Sequence, residues 1–123
     1  TISNGYSGKG VGINIIDSGL EIAHEDLVEN VLDGYSWDFY ENDTDPTNPS
    51  VYGDHGTSVA GMIGAKGWNN LGGRGVAPNA NLIGYNLLEY FTYNNQSESW
   101  GYNDIYSGAM DIFNMSYGLV LSV

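Results

Sequence analysis

Residues 11–19, VGINIIDSG, decide how the rest of the chain is read. Val11, Ile13, Ile15 and Ile16 supply β-branched bulk without regular polar alternation, the pattern of a strand buried inside a sheet. The run stops at Asp17-Ser18-Gly19, which reads as a turn. An acidic side chain is thereby placed at the end of a buried strand.

Working outward, residues 23–30 (AHEDLVEN) read as a short polar helix or loop, and residues 31–37 (VLDGYSW) as a second strand. Residues 55–67 (HGTSVAGMIGAKG) read as a helix packed closely through its small residues. A Gly-Pro turn in residues 75–88 leads to a strand over 81–88. Residues 103–111 form a helix candidate with Asn103 or Asp104 as N-cap, and 112–118 (IFNMSYG) a further strand. Residues 92–103 (TYNNQSESWGYN) are polar and carry no clear period. Strands alternating with helices indicate an α/β fold with a parallel sheet, in which functional groups collect beyond the carboxyl ends of strands. Asp17 and Ser116 both fall at such ends.

The chain has 123 residues, enough for one small domain, and no cysteine, which excludes disulfides, thiol nucleophiles and thiolate metal sites. Fifteen acidic against three basic residues give a net charge of −12. This balance argues against nucleic acid and anionic membranes as partners and favours basic peptides or metal ions. No apolar run reaches the length of a membrane span, and the first ten residues do not read as a signal peptide. The acids are concentrated in WDFYENDTDP, where Asp38, Glu41, Asp43 and Asp45 lie within eight residues.

His55 is one of two histidines, and seven of the ten residues that follow it are Gly, Ala, Ser or Thr. Small residues allow close approach of other backbone, so the imidazole is expected at a crowded junction. An unperturbed imidazole has a pKa near ~6.5, which suits it to accept and return a proton. His24, in EIAHEDL, reads as structural or surface-exposed.

Four segments in order, IIDSGLEIAHEDL, HGTSVAG, GVAPNANL and NMSYG, together resemble the subtilisin-like serine proteases, or subtilases. The resemblance implies a partial subtilisin-like three-layer fold, a mostly parallel β-sheet flanked by helices, with residues 1–123 forming the N-terminal portion of a catalytic domain. It maps the family's catalytic aspartate and histidine onto Asp17 and His55, and its substrate-pairing strand onto Ser116, Tyr117 and Gly118. The nucleophilic serine and the oxyanion-hole asparagine of that family lie further downstream and have no counterpart here. Ser58, in GTSVAG, is not the nucleophile: it lies three residues from the base and lacks the expected continuation. The segment alone is therefore expected to be inactive.

The resemblance also implies structural calcium. One site maps onto Asp26, the Asn69 side chain, and the carbonyls of Lys66, Leu71 and Gly73. Asp38, Asp43 and Asp45 match the spacing of a second site in the kexin/furin-like branch, and three crowded carboxylates repel one another unless a cation relieves them. Kexins carry a second acid after the catalytic aspartate where this chain has Ser18, which argues against strict dibasic selectivity. Glu89, Glu98 and Asp104 are expected near the substrate groove. The implied setting is a secreted or extracytoplasmic serine endopeptidase. It acts on peptides or proteins, some with basic residues, and is completed by the C-terminal remainder of its domain. The alternatives are a non-catalytic calcium-binding fragment or truncated pseudoprotease, and an unrelated α/β binding domain.

Overall fold

The computed structural model describes residues 2–101 and 107–118. Four strands and two helices follow one another as β1 (Gly12–Asp17), β2 (Trp37–Asp38), α1 (His55–Gly64), β3 (Asn81–Asn86), α2 (Tyr93–Ser99) and β4 (Ile112–Asn114). The strands form one sheet in the order β2-β3-β1-β4, and each pairing is parallel. β1 is central and buried at all six positions, as its continuous apolar character requires.

Alternation along β1 and β3 builds two cores. Ile13, Ile15 and Leu82 face one way and pack with Leu20, Leu27, Val59 and Ala60, which brings in α1. Ile16, Ile83 and Tyr85 face the other way and pack with Phe39, Leu87 and Met110. Full burial of a side chain such as Ile15 or Leu82 contributes about 1.5–3 kcal/mol. Gly84 lies opposite Leu20, where a Cβ would come within 2.3 Å of the leucine Cβ, so the sheet needs a residue without a side chain there.

Asn30 fastens α1 to this sheet. It is buried, and its Nδ2 donates to the Gly64 carbonyl at 2.9 Å and to the Pro78 carbonyl at 2.7 Å. Its own carbonyl accepts from Leu82 N–H at 2.8 Å.

Several elements are shorter than the sequence suggests. The strand expected over 31–37 is reduced to a single bridge, Val31 with Leu82, before β2 begins at Trp37. Gly34, at φ +79°, turns the chain out of the sheet between them. The strand expected over 81–88 ends at Asn86, and Leu88–Tyr90 form a 3-10 turn. β4 pairs only over Ile112–Asn114, not to Gly118. Of the two readings for residues 23–30, a short helix or a loop, the structure has the loop, built of turns. The N-cap expected at Asn103 or Asp104 lies outside the described residues; of that helix candidate, Ser107–Ala109 are a 3-10 turn. The polar stretch after residue 92 holds α2, whose first turn is capped by the Thr92 hydroxyl accepting from Asn95 N–H at 3.0 Å.

Candidate active site

Asp17 ends β1 and His55 begins α1, so both stand at the carboxyl edge of the sheet. Asp17 Oδ1 lies 2.7 Å from His55 Nδ1. The carboxylate is fully buried, whereas the imidazole side chain is 56 % exposed. Asp17 Oδ1 also accepts from Ser18 N–H at 2.6 Å. Its other oxygen, Oδ2, has no hydrogen-bond partner among the described residues. With Nδ1 committed to the carboxylate, Nε2 is the ring nitrogen left for chemistry.

The junction is as crowded as the small residues suggest. Gly56 sits against the Asp17 turn, where a Cβ would lie 2.0 Å from the Gly19 carbonyl oxygen and 3.1 Å from the Asp17 Cβ. The N-cap residue of α1, Asp54, makes no side-chain cap. The cap comes instead from Ser18, whose Oγ accepts from Gly56 N–H at 3.0 Å and donates to the Gly53 carbonyl at 3.3 Å. Asn48 holds the same turn from outside by donating to the Ser18 carbonyl at 2.8 Å.

Ser116, Tyr117 and Gly118 follow β4, the neighbour of β1, on the same edge of the sheet. Tyr117 and Gly118 line a largely apolar groove of about 420 Å³ with Leu88, Phe91, Tyr93, Gln96, Trp100 and Met115. Gln96 Nε2 and the Tyr117 hydroxyl are 3.5 Å apart, and Ser116 Oγ accepts from Asn114 Nδ2 at 2.9 Å. Sequence reasoning missed the α2 wall of this groove. The aromatic residues Phe91, Tyr93 and Trp100, spaced through a polar stretch, were the available signal. Glu89 does not point freely into solvent: its Oε2 accepts from Asn86 Nδ2 at 2.5 Å. Glu98 is exposed on α2, and Asp104 lies outside the described residues.

Asp26 and Asn69 are brought together, Asn69 Nδ2 donating to Asp26 Oδ1 at 2.8 Å. Lys66, Leu71 and Gly73 belong to the loop after α1, which is tied to Asp26 by Lys66 N–H donating to the Asp26 carbonyl at 2.8 Å. Left-handed residues Trp68, Asn70 and Gly72 curl this loop over the carboxylate. A Cβ on Gly72 would stand 2.9 Å from Asp26 Oδ2. His24 is half-buried, its Nδ1 accepting from Asp26 N–H at 3.1 Å.

The acidic run folds into a turn in which Asp38 N–H donates to the Asp43 carbonyl at 2.8 Å. Asp38 is buried and its Oδ1 accepts from Tyr40 and Glu41 N–H and from Asn86 Nδ2. Asp43 and Asp45 are exposed and accept from Asp45 and Thr47 N–H respectively. Among the described residues, no three acidic or histidine side chains converge as a metal-binding group.

A parallel α/β sheet carries a buried aspartate bonded to a histidine at its carboxyl edge, the arrangement that the resemblance to subtilases implies. The chain belongs to the subtilase family, whose pattern it matches over residues 8–120. It is 41% identical over 118 residues to the Aeromonas extracellular serine protease of Aeromonas sobria, covering 94% of this chain and 18% of that protein. It is 45% identical over 87 residues to Furin-like protease 2 of Drosophila melanogaster, covering 69% of this chain and 5% of that protein. The crystal structure of the Aeromonas sobria serine protease with its chaperone superposes with a TM-score of 0.84 at 38% identity, over 95% of this chain and 20% of that one. The chain thus spans a fifth or less of the length of these relatives.

Proposed function

We propose that this segment supplies the aspartate and histidine of a Ser-His-Asp triad in a calcium-stabilised, kexin-like serine endopeptidase acting outside the cytoplasm. The observation that carries the reading is the 2.7 Å contact between fully buried Asp17 and exposed His55. A serine hydroxyl is a weak nucleophile at neutral pH and needs a base during attack on the scissile carbonyl. His55 takes the hydroxyl proton at Nε2 and later returns it to the leaving amine. Asp17 fixes the tautomer with the proton on Nδ1 and stabilises the imidazolium that forms. The serine and oxyanion donors come from the remainder of the domain. The groove beside Tyr117 and Gly118 receives the substrate chain.

The branch assignment draws on the acidic turn and on likeness to a furin-like protease; the location draws on likeness to an extracellular one. Among the described residues no helix is long and apolar enough to cross a membrane. The donor chemistry around Asp26 fits calcium, which takes oxygen ligands only. Asp26, Asn69 and the carbonyls of Lys66, Leu71 and Gly73 would hold one ion. Asn69 would exchange its present hydrogen bond to Asp26 for coordination through Oδ1. Asp38, Asp43 and Asp45 would hold a second, drawing the Asp43 and Asp45 carboxylates from their local turn contacts. Calcium in either place would hold together the loops that carry its ligands.

The test is hydrolysis of a peptide library by the complete enzyme and by its His55→Ala variant. Loss of nearly all turnover with the fold retained is expected. Wild-type turnover by that variant rejects the base role.

A further inference from the structure

We propose that Ser18 is a positioning residue for the general base, a reading that rests on the catalytic role of the Asp17–His55 pair. Three contacts converge on it. Its N–H donates to the same Asp17 oxygen that meets the imidazole, at 2.6 Å. Its hydroxyl accepts from Gly56 N–H, one residue beyond the base, and donates to the Gly53 carbonyl, two residues before it. One side chain therefore grips the chain on both sides of His55 while its backbone grips the carboxylate.

This arrangement matters because α1 has no cap of its own. The first N–H groups of a helix lack intrahelical partners, and a local N-cap side chain normally takes one of them. Asp54 stands at that place without making the bond. The acceptor arrives from a turn 38 residues upstream, and that turn is the one carrying Asp17. Capping the helix and setting the distance between carboxylate and imidazole are then a single event. Ser18 is buried, so its two hydroxyl bonds are made away from competing solvent. Removing its Oγ leaves the Gly56 N–H without that acceptor and frees the start of α1 to move relative to Asp17. Displacement of a base by a fraction of an ångström lowers the rate of proton transfer without weakening substrate binding, because it is felt where reacting groups must align.

The experiment compares Ser18→Ala, Ser18→Thr and His55→Ala in the complete enzyme, measuring kcat and KM separately on one peptide substrate. Ser18→Ala is expected to lower kcat about 10-fold or more with KM within about twofold of wild type, and Ser18→Thr, which keeps the hydroxyl, to recover most of that loss. A folded Ser18→Ala enzyme with wild-type kcat overturns the proposal, as does a Ser18→Thr enzyme no better than the alanine variant. If Ser18→Ala does not fold, Ser18→Cys keeps the side-chain shape with a weaker acceptor. The same kcat-specific loss is expected there, and wild-type kcat overturns the proposal. His55→Ala separates the two readings: if it retains activity, the underlying pair assignment fails. If it is inactive while Ser18→Ala is fully active, only the role of Ser18 fails.

Discussion

Gly56 and Gly19 touch backbone to backbone: a Cβ on Gly56 would lie 2.0 Å from the Gly19 carbonyl oxygen, far inside van der Waals contact. The start of α1 can therefore reach the Asp17 turn only if position 56 has no side chain. Gly56→Ala is expected to push the helix away and to separate His55 from Asp17. Overpacking of this kind costs about 1–3 kcal/mol. The complete enzyme should melt several degrees lower and lose most of its kcat; an alanine variant with unchanged melting and unchanged kcat would show that the junction yields easily.

Asp17→Asn keeps the shape of the buried side chain but removes the charge that, in the proposed mechanism, stabilises the imidazolium. In triads of this type the loss of turnover is about 10⁴-fold. The expected result in the complete enzyme is a drop of that order in kcat with little change in KM. A drop of less than about tenfold would mean that Asp17 is structural.

Calcium is expected to raise the melting temperature of the complete enzyme, and a chelator to lower it. A ligand that binds only the folded state adds about 2.7 kcal/mol at a hundredfold excess over Kd. Asp26→Ala is expected to remove the larger part of the shift, because Asp26 is buried beneath the Asn69 loop. Asp43→Ala with Asp45→Ala is expected to remove a smaller part, since those carboxylates are exposed. An equal calcium shift in wild type and both variants would dismiss both sites.

Asn30→Ala should destabilise without touching the site directly. Two buried carbonyls, those of Gly64 and Pro78, lose the donor they share. Loss of such a partner costs about 1–3 kcal/mol. Denaturant unfolding of the complete enzyme should show a lower midpoint with an unchanged slope.

The elements legible in the sequence were those whose signals are local and contiguous. β1 announces itself as an apolar β-branched run, and α1 as a small-residue helix opening on His55. The Asp17–His55 pairing was legible only through family resemblance, because 38 residues separate the two. α2 was hidden because seven polar or aromatic residues carry no apolar stripe; its cap, Thr92 to Asn95, was the readable trace. Ser18 and Asn30 were illegible for a different reason. Each serves partners 34 to 48 residues away, and no local pattern reports such distances. The truncated second strand reflects Gly34, whose turn overrides the flanking apolar residues.

The central place of β1 governs the order in which this part of the molecule can be made. β1 pairs with β3 on one side and β4 on the other, and Gly12 N–H reaches Asp111 Oδ2 across 99 residues. Neither flank is within reach of a hairpin, so both pairings require closure of long loops before any ladder bond forms. As the chain emerges from synthesis, β1 waits with two open edges: the first is covered when β3 appears, the second only when β4 does. The strand that ends up buried at every position is thus the one that emerges first and has the longest wait for its partners.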